Sequence, residues 1–144
     1  MTLEELKAEW EKDCVIDELE LGRAAINCSI LHSKYLNELI NSKLRLTKCQ
    51  LELAQLESTK SKYFRGELTT SELRELGWEQ WQFRTLKTDI PGLIQAEPDI
   101  QKLIGREQYM KTFIYFLESV LGEIKNRNFA IRAAVDFAKM RAGN

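Results

Sequence analysis

The chain reads RAAINCSILHSKYLNELINSKLRLTKCQLELAQLESTKSKYFR from Arg23 to Arg65. No glycine or proline interrupts this stretch, and a glycine stands at either end, at Gly22 and Gly66. Because glycine and proline are the residues that most often end a helix, the stretch predicts one long helix or two stacked helices. A single helix of this length would span roughly 65 Å, which indicates a protein that assembles.

A seven-residue repeat runs through the same stretch. Its a positions are Ala25, His32, Leu39, Leu46, Leu53 and Lys60, and its d positions are Leu21, Cys28, Tyr35, Ser42, Cys49, Leu56 and Tyr63. A mostly apolar repeat over about six heptads favours a coiled-coil-like seam. Further apolar residues lie off this seam at Ile26, Ile30, Leu31, Leu36, Ile40, Leu44 and Leu51. Apolar coverage this wide predicts a helical hairpin or a multi-chain bundle rather than a two-stranded zipper.

Start and stop signals predict shorter helices around the long one. Thr2 and Thr69 are each followed by a glutamate three residues later, which is the spacing of a capping box. Gly77 suits a helix C-terminus, and Pro98 suits the first position of a final helix. No stretch shows the alternating pattern of a strand. The predicted fold is therefore all-α, a long helical hairpin or bundle with a C-terminal amphipathic oligomerisation helix.

The C-terminal part carries a broad apolar face. Its members are Leu103, Met110, Phe113, Ile114, Leu117, Val120, Leu121 and Ile124. The face is large for a peripheral helix, so we favour a subunit interface, with an intrachain core as the alternative. The pattern leaves open a break at Arg127-Asn128, before a second amphipathic piece from Phe129 to Met140.

The composition argues against several classes of protein. No run approaches the roughly 20 apolar residues of a membrane span, and the N-terminal MTLEE is not a secretory signal. Cys14, Cys28 and Cys49 lack metal-binding spacing, and the only histidine, His32, lies at a seam position. Nucleophile and phosphate-binding motifs are absent. We therefore expect a cytoplasmic protein that is not an enzyme and that needs no metal or other cofactor.

Charge is distributed unevenly along the chain. The formal net charge is -1, but residues 1–20 carry -6, residues 41–70 carry +3 and residues 101–144 carry +4. Because phosphate responds to the local patch, a near-neutral total does not exclude a nucleic-acid partner. Residues 1–20, which we call the acidic head, either engage a basic partner or form a solvated helix face.

The end of the long stretch places cations beside aromatic rings. The candidate DNA contacts are Lys60, Lys62, Tyr63, Phe64 and Arg65, with Lys43, Arg45 and Lys48 upstream. Cations that neutralise phosphates and rings that stack on bases are typical of single-stranded nucleic-acid binding. Alternatively, Tyr63 closes the seam and the cations complement the helix C-terminus. A second aromatic-basic group follows at Trp78, Trp81, Phe83 and Arg84, with core packing as the alternative for at least one tryptophan.

Several stretches of the chain together resemble a known family. They are Leu3-Glu4-Glu5-Leu6, Asp13-Cys14-Val15-Ile16-Asp17, Ser33-Lys34-Tyr35-Leu36-Asn37, Tyr63-Phe64 before Gly66, and Phe129-Ala130-Ile131. In order and spacing they resemble the UvsY recombination mediators of T-even-type phages, up to about Gly66 and again from about Pro98. The insert Gly77-Trp78-Glu79-Gln80-Trp81-Gln82 resembles the versions in cyanobacterial phages.

The resemblance implies a non-enzymatic accessory protein of homologous recombination. Such proteins bind single-stranded DNA as a ring-like homo-oligomer of about six or seven subunits, and their C-terminal amphipathic helix drives oligomerisation. They help a RecA-like recombinase, UvsX, to displace the phage single-strand-binding protein. The family's DNA-binding stretch reads Lys-Ala-Arg-Leu-Asp-Tyr-Tyr. Its Lys, Arg and Asp fall on Ser58, Lys60 and Lys62, and its tyrosine pair falls on Tyr63-Phe64.

The resemblance, together with the charge and helix patterns, implies a recombination mediator of the host-cell cytoplasm. Residues 1–84 would form a helical single-stranded DNA-binding region, residues 85–98 a linker and residues 99–144 a helical oligomerisation region. The predicted partners are single-stranded DNA, a RecA-like recombinase, a single-strand-binding protein and further copies of the chain, and no membrane. The alternative is a helical scaffold or adaptor that does not bind nucleic acid.

Overall fold

The computed structural model describes residues 1–143. Its helices are α1 (Leu3–Asp13), α2 (Leu21–Phe64), α3 (Thr70–Leu76), α4 (Ile90–Gln95) and α5 (Pro98–Arg141). No residue in this range lies in a strand, so the predicted all-α fold is confirmed. None of these helices is long and apolar enough to cross a membrane. The same range holds no group of three or more His, Cys, Asp or Glu side chains placed to bind a metal ion.

The long stretch is one continuous helix, α2, of 44 residues. It ends in a Schellman turn, in which the Gly66 N–H donates to the carbonyl of Tyr63 and the Glu67 N–H donates to the carbonyl of Lys62. Gly66 has a φ of +71°, which glycine adopts without the steric cost of a Cβ atom. The breaker-free sequence therefore forms the single-helix alternative, and the turn directs the chain back towards the end of α2.

The capping signals form as the sequence predicts. Thr2 makes a full capping box with Glu5, and the Thr69 hydroxyl accepts from the backbone N–H of Glu72. Pro98 is the first residue of α5. The predicted linker, residues 85–98, contains the short helix α4, whose Ile90 and Ile94 are buried. The break considered at residues 127–128 does not occur, because α5 continues through it.

The chain forms two compact units, through both of which α2 and α5 pass. Unit 1 comprises residues 1–44 with the chain from Lys111 onwards, and unit 2 is Arg45–Met110. Within each unit the two long helices run antiparallel. In unit 2, for example, Cys49 contacts the carbonyl of Leu103 whereas Lys60 contacts Asp99. The predicted hairpin is therefore present. The compact units are defined by packing and do not test the predicted division into functional regions around residues 85–98. That division stays a prediction.

The core of unit 1 combines side chains from α1, α2 and α5. Its buried apolar members are Leu6, Cys28, Leu31, Tyr35, Leu39, Phe113, Ile114, Leu117, Val120, Ile124 and Ile131. The seam residues Cys28, Tyr35 and Leu39 are thus buried as the heptad predicts. Five residues of the predicted subunit interface also lie in this core, namely Phe113, Ile114, Leu117, Val120 and Ile124. Of the other three, Leu103 packs in unit 2, and Met110 and Leu121 are half-buried.

The C-terminus of α1 is held by polar contacts with α5 and α2. The buried Arg127 donates to the carbonyls of Cys14 and Val15, at 3.0 and 3.1 Å. Such contacts satisfy carbonyls that a helix end leaves without partners. The carboxylate of Asp13 accepts hydrogen bonds from Lys34 at 2.6 Å and from the Tyr35 hydroxyl at 2.8 Å. Part of the acidic head is therefore neutralised within the chain.

These contacts change the ionisation of the groups involved. Burial raises the pKa of Asp13, but hydrogen bonds from Lys34 and Tyr35, together with nearby positive charge, outweigh it and hold the pKa below 3.8. Hydrogen bonds to Asp13 and Glu9 raise the pKa of Lys34 above 10.5. Because the folded-state pKa of Asp13 is depressed, its stabilisation is present above about pH 3.8 and is lost as the pH falls through the folded-state value.

We expect Asp13→Asn to lower the free energy of unfolding at neutral pH by about 1 to 3 kcal/mol, since charged hydrogen bonds of this kind contribute on that scale. Urea unfolding between pH 3 and pH 7 measures the effect, and the difference from the parent should shrink below about pH 3.8. Glu11→Gln, an exposed change on the same helix, serves as the control. A difference that stays constant down to pH 3 would contradict the role of the Asp13 carboxylate.

Candidate nucleic-acid interface

Lys60 is buried at the C-terminal end of α2, with 8% of its side chain exposed. Its ammonium lies 3.2 Å from the Asp99 carboxylate, 3.8 Å from that of Glu97 and 4.3 Å from the centre of the Trp78 ring. Burying an ammonium is costly unless charges and hydrogen bonds compensate it. These contacts provide that compensation and join α2, the start of α5 and the segment after α3. A direct contact between Lys60 and DNA stays a prediction.

The rings of Tyr63 and Phe64 pack against the segment that follows α3. Tyr63 lies 5.2 Å from Trp78, and Phe64 lies 4.9 Å from Trp81, between ring centres. The Tyr63 hydroxyl donates to the carbonyl of Glu79. Burial raises the pKa of Tyr63, and the Glu97 and Glu79 carboxylates raise it further. We call Tyr63, Phe64, Trp78, Trp81 and Phe83 the aromatic cluster. Base stacking needs an exposed ring face, which Phe64, at 4% exposure, does not offer.

Three of the candidate cations share one exposed face of α2 in unit 2. We call this face the basic stripe, and its members are Lys48, Leu51, Gln55, Ser58, Lys62 and Arg65, all exposed. Successive members are three or four residues apart, so they line up along the helix. The stripe itself contains no carboxylate. The guanidinium of Arg65 lies 3.7 Å from the Glu67 carboxylate, but both side chains are exposed, and such pairs contribute little and exchange readily with other partners.

Lys43 and Arg45 lie off the basic stripe. Lys43 belongs to unit 1, where its ammonium is 3.8 Å from the carboxylate of Glu118. Arg45 is exposed about a quarter-turn round α2 from the stripe. The structure thus groups Lys48, Lys62 and Arg65 on one face and places Lys60 in the interior. The seven-residue repeat indicated the burial of Lys60, since this residue occupies an a position of the repeat.

One cation escaped the sequence analysis because it lies in the predicted linker. Lys87 lines a groove together with Arg65, Arg84 and Phe83. The apolar lining of this groove includes Ile90 of α4. The indole N–H of Trp81 donates to the Thr85 hydroxyl at 3.0 Å, which orders the segment that carries these residues. Nothing in the local sequence relates Lys87 to Arg65. Their proximity depends on the packing of the aromatic cluster.

Comparisons with known proteins give one consistent result. Residues 9–144 match the model of the family described as the recombination, repair and ssDNA binding protein UvsY. The chain is 30% identical over 143 residues to the recombination protein uvsY of Enterobacteria phage T4, covering 99% of each chain. It is similar to two crystal structures of the bacteriophage T4 recombination mediator protein UvsY. The TM-scores are 0.84 and 0.83, at 27% and 26% identity.

The two structural matches cover 99% and 100% of this chain and 98% and 100% of the solved chains. They therefore extend over the long hairpin of α2 and α5 and over the segment that carries the aromatic cluster. The family match likewise includes the basic stripe and both compact units. On this agreement of sequence and fold along nearly the whole chain, the protein belongs to the UvsY family.

Proposed function

We propose that this protein binds single-stranded DNA as a ring-like homo-oligomer and promotes the loading of a RecA-like recombinase onto strands covered by single-strand-binding protein. The observation that carries the proposal is the family match over residues 9–144. Recombination, repair and single-stranded DNA binding are the activities that describe this family. The protein acts by binding and geometry rather than by catalysis.

The basic stripe supports the DNA-binding part of the proposal. Its cations stand at the two ends, Lys48 at one and Lys62 and Arg65 at the other, with exposed uncharged side chains between them. Lys48 and Lys62 lie about 21 Å apart along the helix axis, so they would contact two separated phosphates of one extended strand. A few phosphate contacts in each subunit give weak, salt-dependent affinity. Repetition of the stripe around an oligomer would raise the overall avidity without any new contact.

An exposed apolar surface in unit 1 supports self-association. Ile26, Ile30, Ile40 and Leu44 lie along one face of α2, which we call the apolar stripe, and they are 48–75% exposed. Exposed apolar residues grouped on one face are typical of interaction surfaces. A ring needs two different complementary surfaces on each subunit. The C-terminal part of α5 provides a second one, with Phe129, Phe137 and Met140 at 56–71% exposure.

We propose that the subunits associate through these exposed surfaces rather than through the face predicted from the sequence. Phe113, Ile114, Leu117, Val120 and Ile124 are buried within the subunit, so in this conformation they support the helices that carry the exposed surfaces. Cutting the chain before Pro98 would remove core residues from both units. That truncation would therefore report on folding as much as on assembly, and point substitutions test the interface more cleanly.

The double substitution Lys48→Ala with Lys62→Ala tests the basic stripe. We expect weaker binding of an oligothymidylate at low salt, because two phosphates per subunit would no longer be neutralised. The slope of log K against log salt should flatten by about 0.7 for each of these phosphates. Fluorescence anisotropy over a salt series, on the intact oligomer, measures both quantities.

Lys102→Ala is the matched control, since it removes an exposed cation of unit 2 that lies on α5 instead. Recombinase loading is measured through the DNA-dependent ATPase activity of the recombinase on strands precoated with single-strand-binding protein. The double variant should stimulate this activity less than Lys102→Ala does. If the parent protein does not bind the oligonucleotide even at low salt, the proposed function is wrong and the scaffold alternative gains support.

A pair of lysine-to-methionine variants separates buried from exposed charge. Lys60→Met leaves Glu97 and Asp99 without their cation, so we expect the free energy of unfolding to fall by about 1 to 3 kcal/mol, less than for a fully buried pair because the carboxylates remain partly solvated. Lys62→Met lies on the exposed side and should change stability by about 0.5 kcal/mol or less while weakening DNA binding. Urea unfolding and anisotropy are measured on both. A Lys60→Met protein of parental stability that loses DNA affinity would favour direct contact by Lys60.

The double substitution Ile30→Glu with Leu44→Glu tests the apolar stripe. Two carboxylates on this face would have to be desolvated in an interface, so we expect the oligomer to dissociate into smaller species. Light scattering coupled to size exclusion gives the mass. Ala25→Glu adds a charge to an exposed position of α2 off the stripe and should leave the mass unchanged. An unchanged mass for the double variant would exclude the apolar stripe as the interface.

A further inference from the structure

Phe83 is the exposed member of the aromatic cluster. Its side chain is 70% exposed, whereas Phe64 of the same cluster is 4% exposed. Its ring centre lies 5.0 Å from that of Trp81, in an edge-to-face arrangement. Trp81 is itself held by Phe64 and by the hydrogen bond from its indole N–H to Thr85. A large ring is thus positioned by the half-buried Trp81 while most of its own surface faces solvent.

The surroundings of Phe83 are basic. The groove beside it has a volume of about 320 Å³, at the lower end of the range for ligand sites. Arg65, Arg84 and Lys87 contribute cations to its lining, and Glu67 contributes a carboxylate. A neighbouring groove of about 370 Å³ shares Arg65 and Lys87 and adds Glu57. Positive charge therefore exceeds negative charge along the continuous surface.

Residues 83–87 contain two apolar-basic pairs, separated by Thr85. Phe83 and Leu86 are about 70% exposed, and each is followed directly by an exposed cation, Arg84 and Lys87. A protein partner with an apolar patch would match the apolar members, Phe83 and Leu86, but would leave the basic members, Arg84 and Lys87, to be desolvated. A single nucleic-acid strand presents bases and phosphates in alternation, so it matches both pairs.

Arg65 connects this surface to the basic stripe. It is the last member of the stripe on α2, and it lines both grooves. A strand held by Lys62 and Arg65 at the C-terminal end of the stripe would therefore reach the groove directly. The connection lies entirely within unit 2.

We propose that Phe83 stacks on a base of the bound single strand, while Arg65, Arg84 and Lys87 hold the phosphates on either side of that base. This inference rests on the proposed function, because it names a second contact for the same ligand. It assigns to the 78–87 segment a part in DNA binding in addition to its packing on α2.

Substitutions at Phe83 separate stacking from charge. Phe83→Leu removes the ring but keeps an apolar side chain, and Phe83→Trp keeps a ring. We expect Phe83→Leu to weaken oligothymidylate binding by about five- to hundredfold, the effect of losing one stacked base, with an unchanged salt slope. Phe83→Trp should bind like the parent. Arg84→Ala with Lys87→Ala should instead flatten the slope by about 0.7 for each phosphate that is no longer neutralised.

Because Phe83 is exposed, these variants should unfold at the same urea concentration as the parent, which distinguishes stacking from a structural role. Photocrosslinking gives a second measurement. An oligonucleotide with 5-iododeoxyuridine, irradiated with the full-length protein and mapped by mass spectrometry, should crosslink to Phe83 or Trp81.

The outcomes distinguish this inference from the function on which it rests. If the parent binds DNA and Phe83→Leu binds equally well, or if the crosslinks lie only in other segments, the inference is wrong and the proposed function stands. If the parent does not bind, both are wrong. If Phe83→Leu keeps its DNA affinity but binds the recombinase less tightly, the surface belongs to a protein partner and the inference is overturned.

Discussion

The buried ammonium of Lys60 is the interaction on which unit 2 depends. It lies between the carboxylates of Glu97 and Asp99 and against the ring of Trp78. It therefore joins the end of α2, the start of α5 and the segment after α3. An ammonium in the interior is stable only while all of these partners stay in place. Through Trp78 this contact also adjoins the aromatic cluster.

One consequence is that residues close together in the sequence lie in different environments, some inside the subunit and others on its surface. Lys60, Tyr63 and Phe64 are used inside the subunit, whereas Lys62 and Arg65 remain on the surface. A helix produces this separation because residues two positions apart point about 200° away from each other. A short basic-aromatic run on a helix can therefore pack on one side and leave cations exposed on the other, and its members need not act together.

The exposed face of α2 also changes character along the helix. It is apolar at Ile26, Ile30, Ile40 and Leu44 of unit 1, and it carries Lys48 and Lys62 in unit 2. Each unit thus presents a surface of its own chemical character, an apolar stripe in unit 1 and a basic stripe in unit 2. We attribute the wide apolar coverage of α2 to these two needs, a core seam on one side and an outward apolar surface on the other.

Much of the fold was predictable because its determinants are local. The breaker-free stretch, the caps at Thr2 and Thr69, the terminators Gly66 and Gly77, and Pro98 at the start of α5 each act through the backbone within a few residues. The helix α4 was not predicted, because its stability comes from the burial of Ile90 and Ile94 against residues distant in the chain. The side chain of Arg127, where the sequence left a break open, likewise bonds to the carbonyls of Cys14 and Val15, which lie more than a hundred residues away.

By itself, the sequence determined the long helix α2, the caps at Thr2 and Thr69, the start of α5 at Pro98 and the resemblance to the UvsY family, since periodicity and capping are local properties and family patterns are linear ones. Only the tertiary structure decided which of the candidate cations are exposed, which apolar residues of α5 are buried within the subunit, and that Lys87 and Arg65 line the same groove. Burial of a charge or of an apolar face depends on which other helix packs against it, and that choice is made by contacts between residues far apart in the chain.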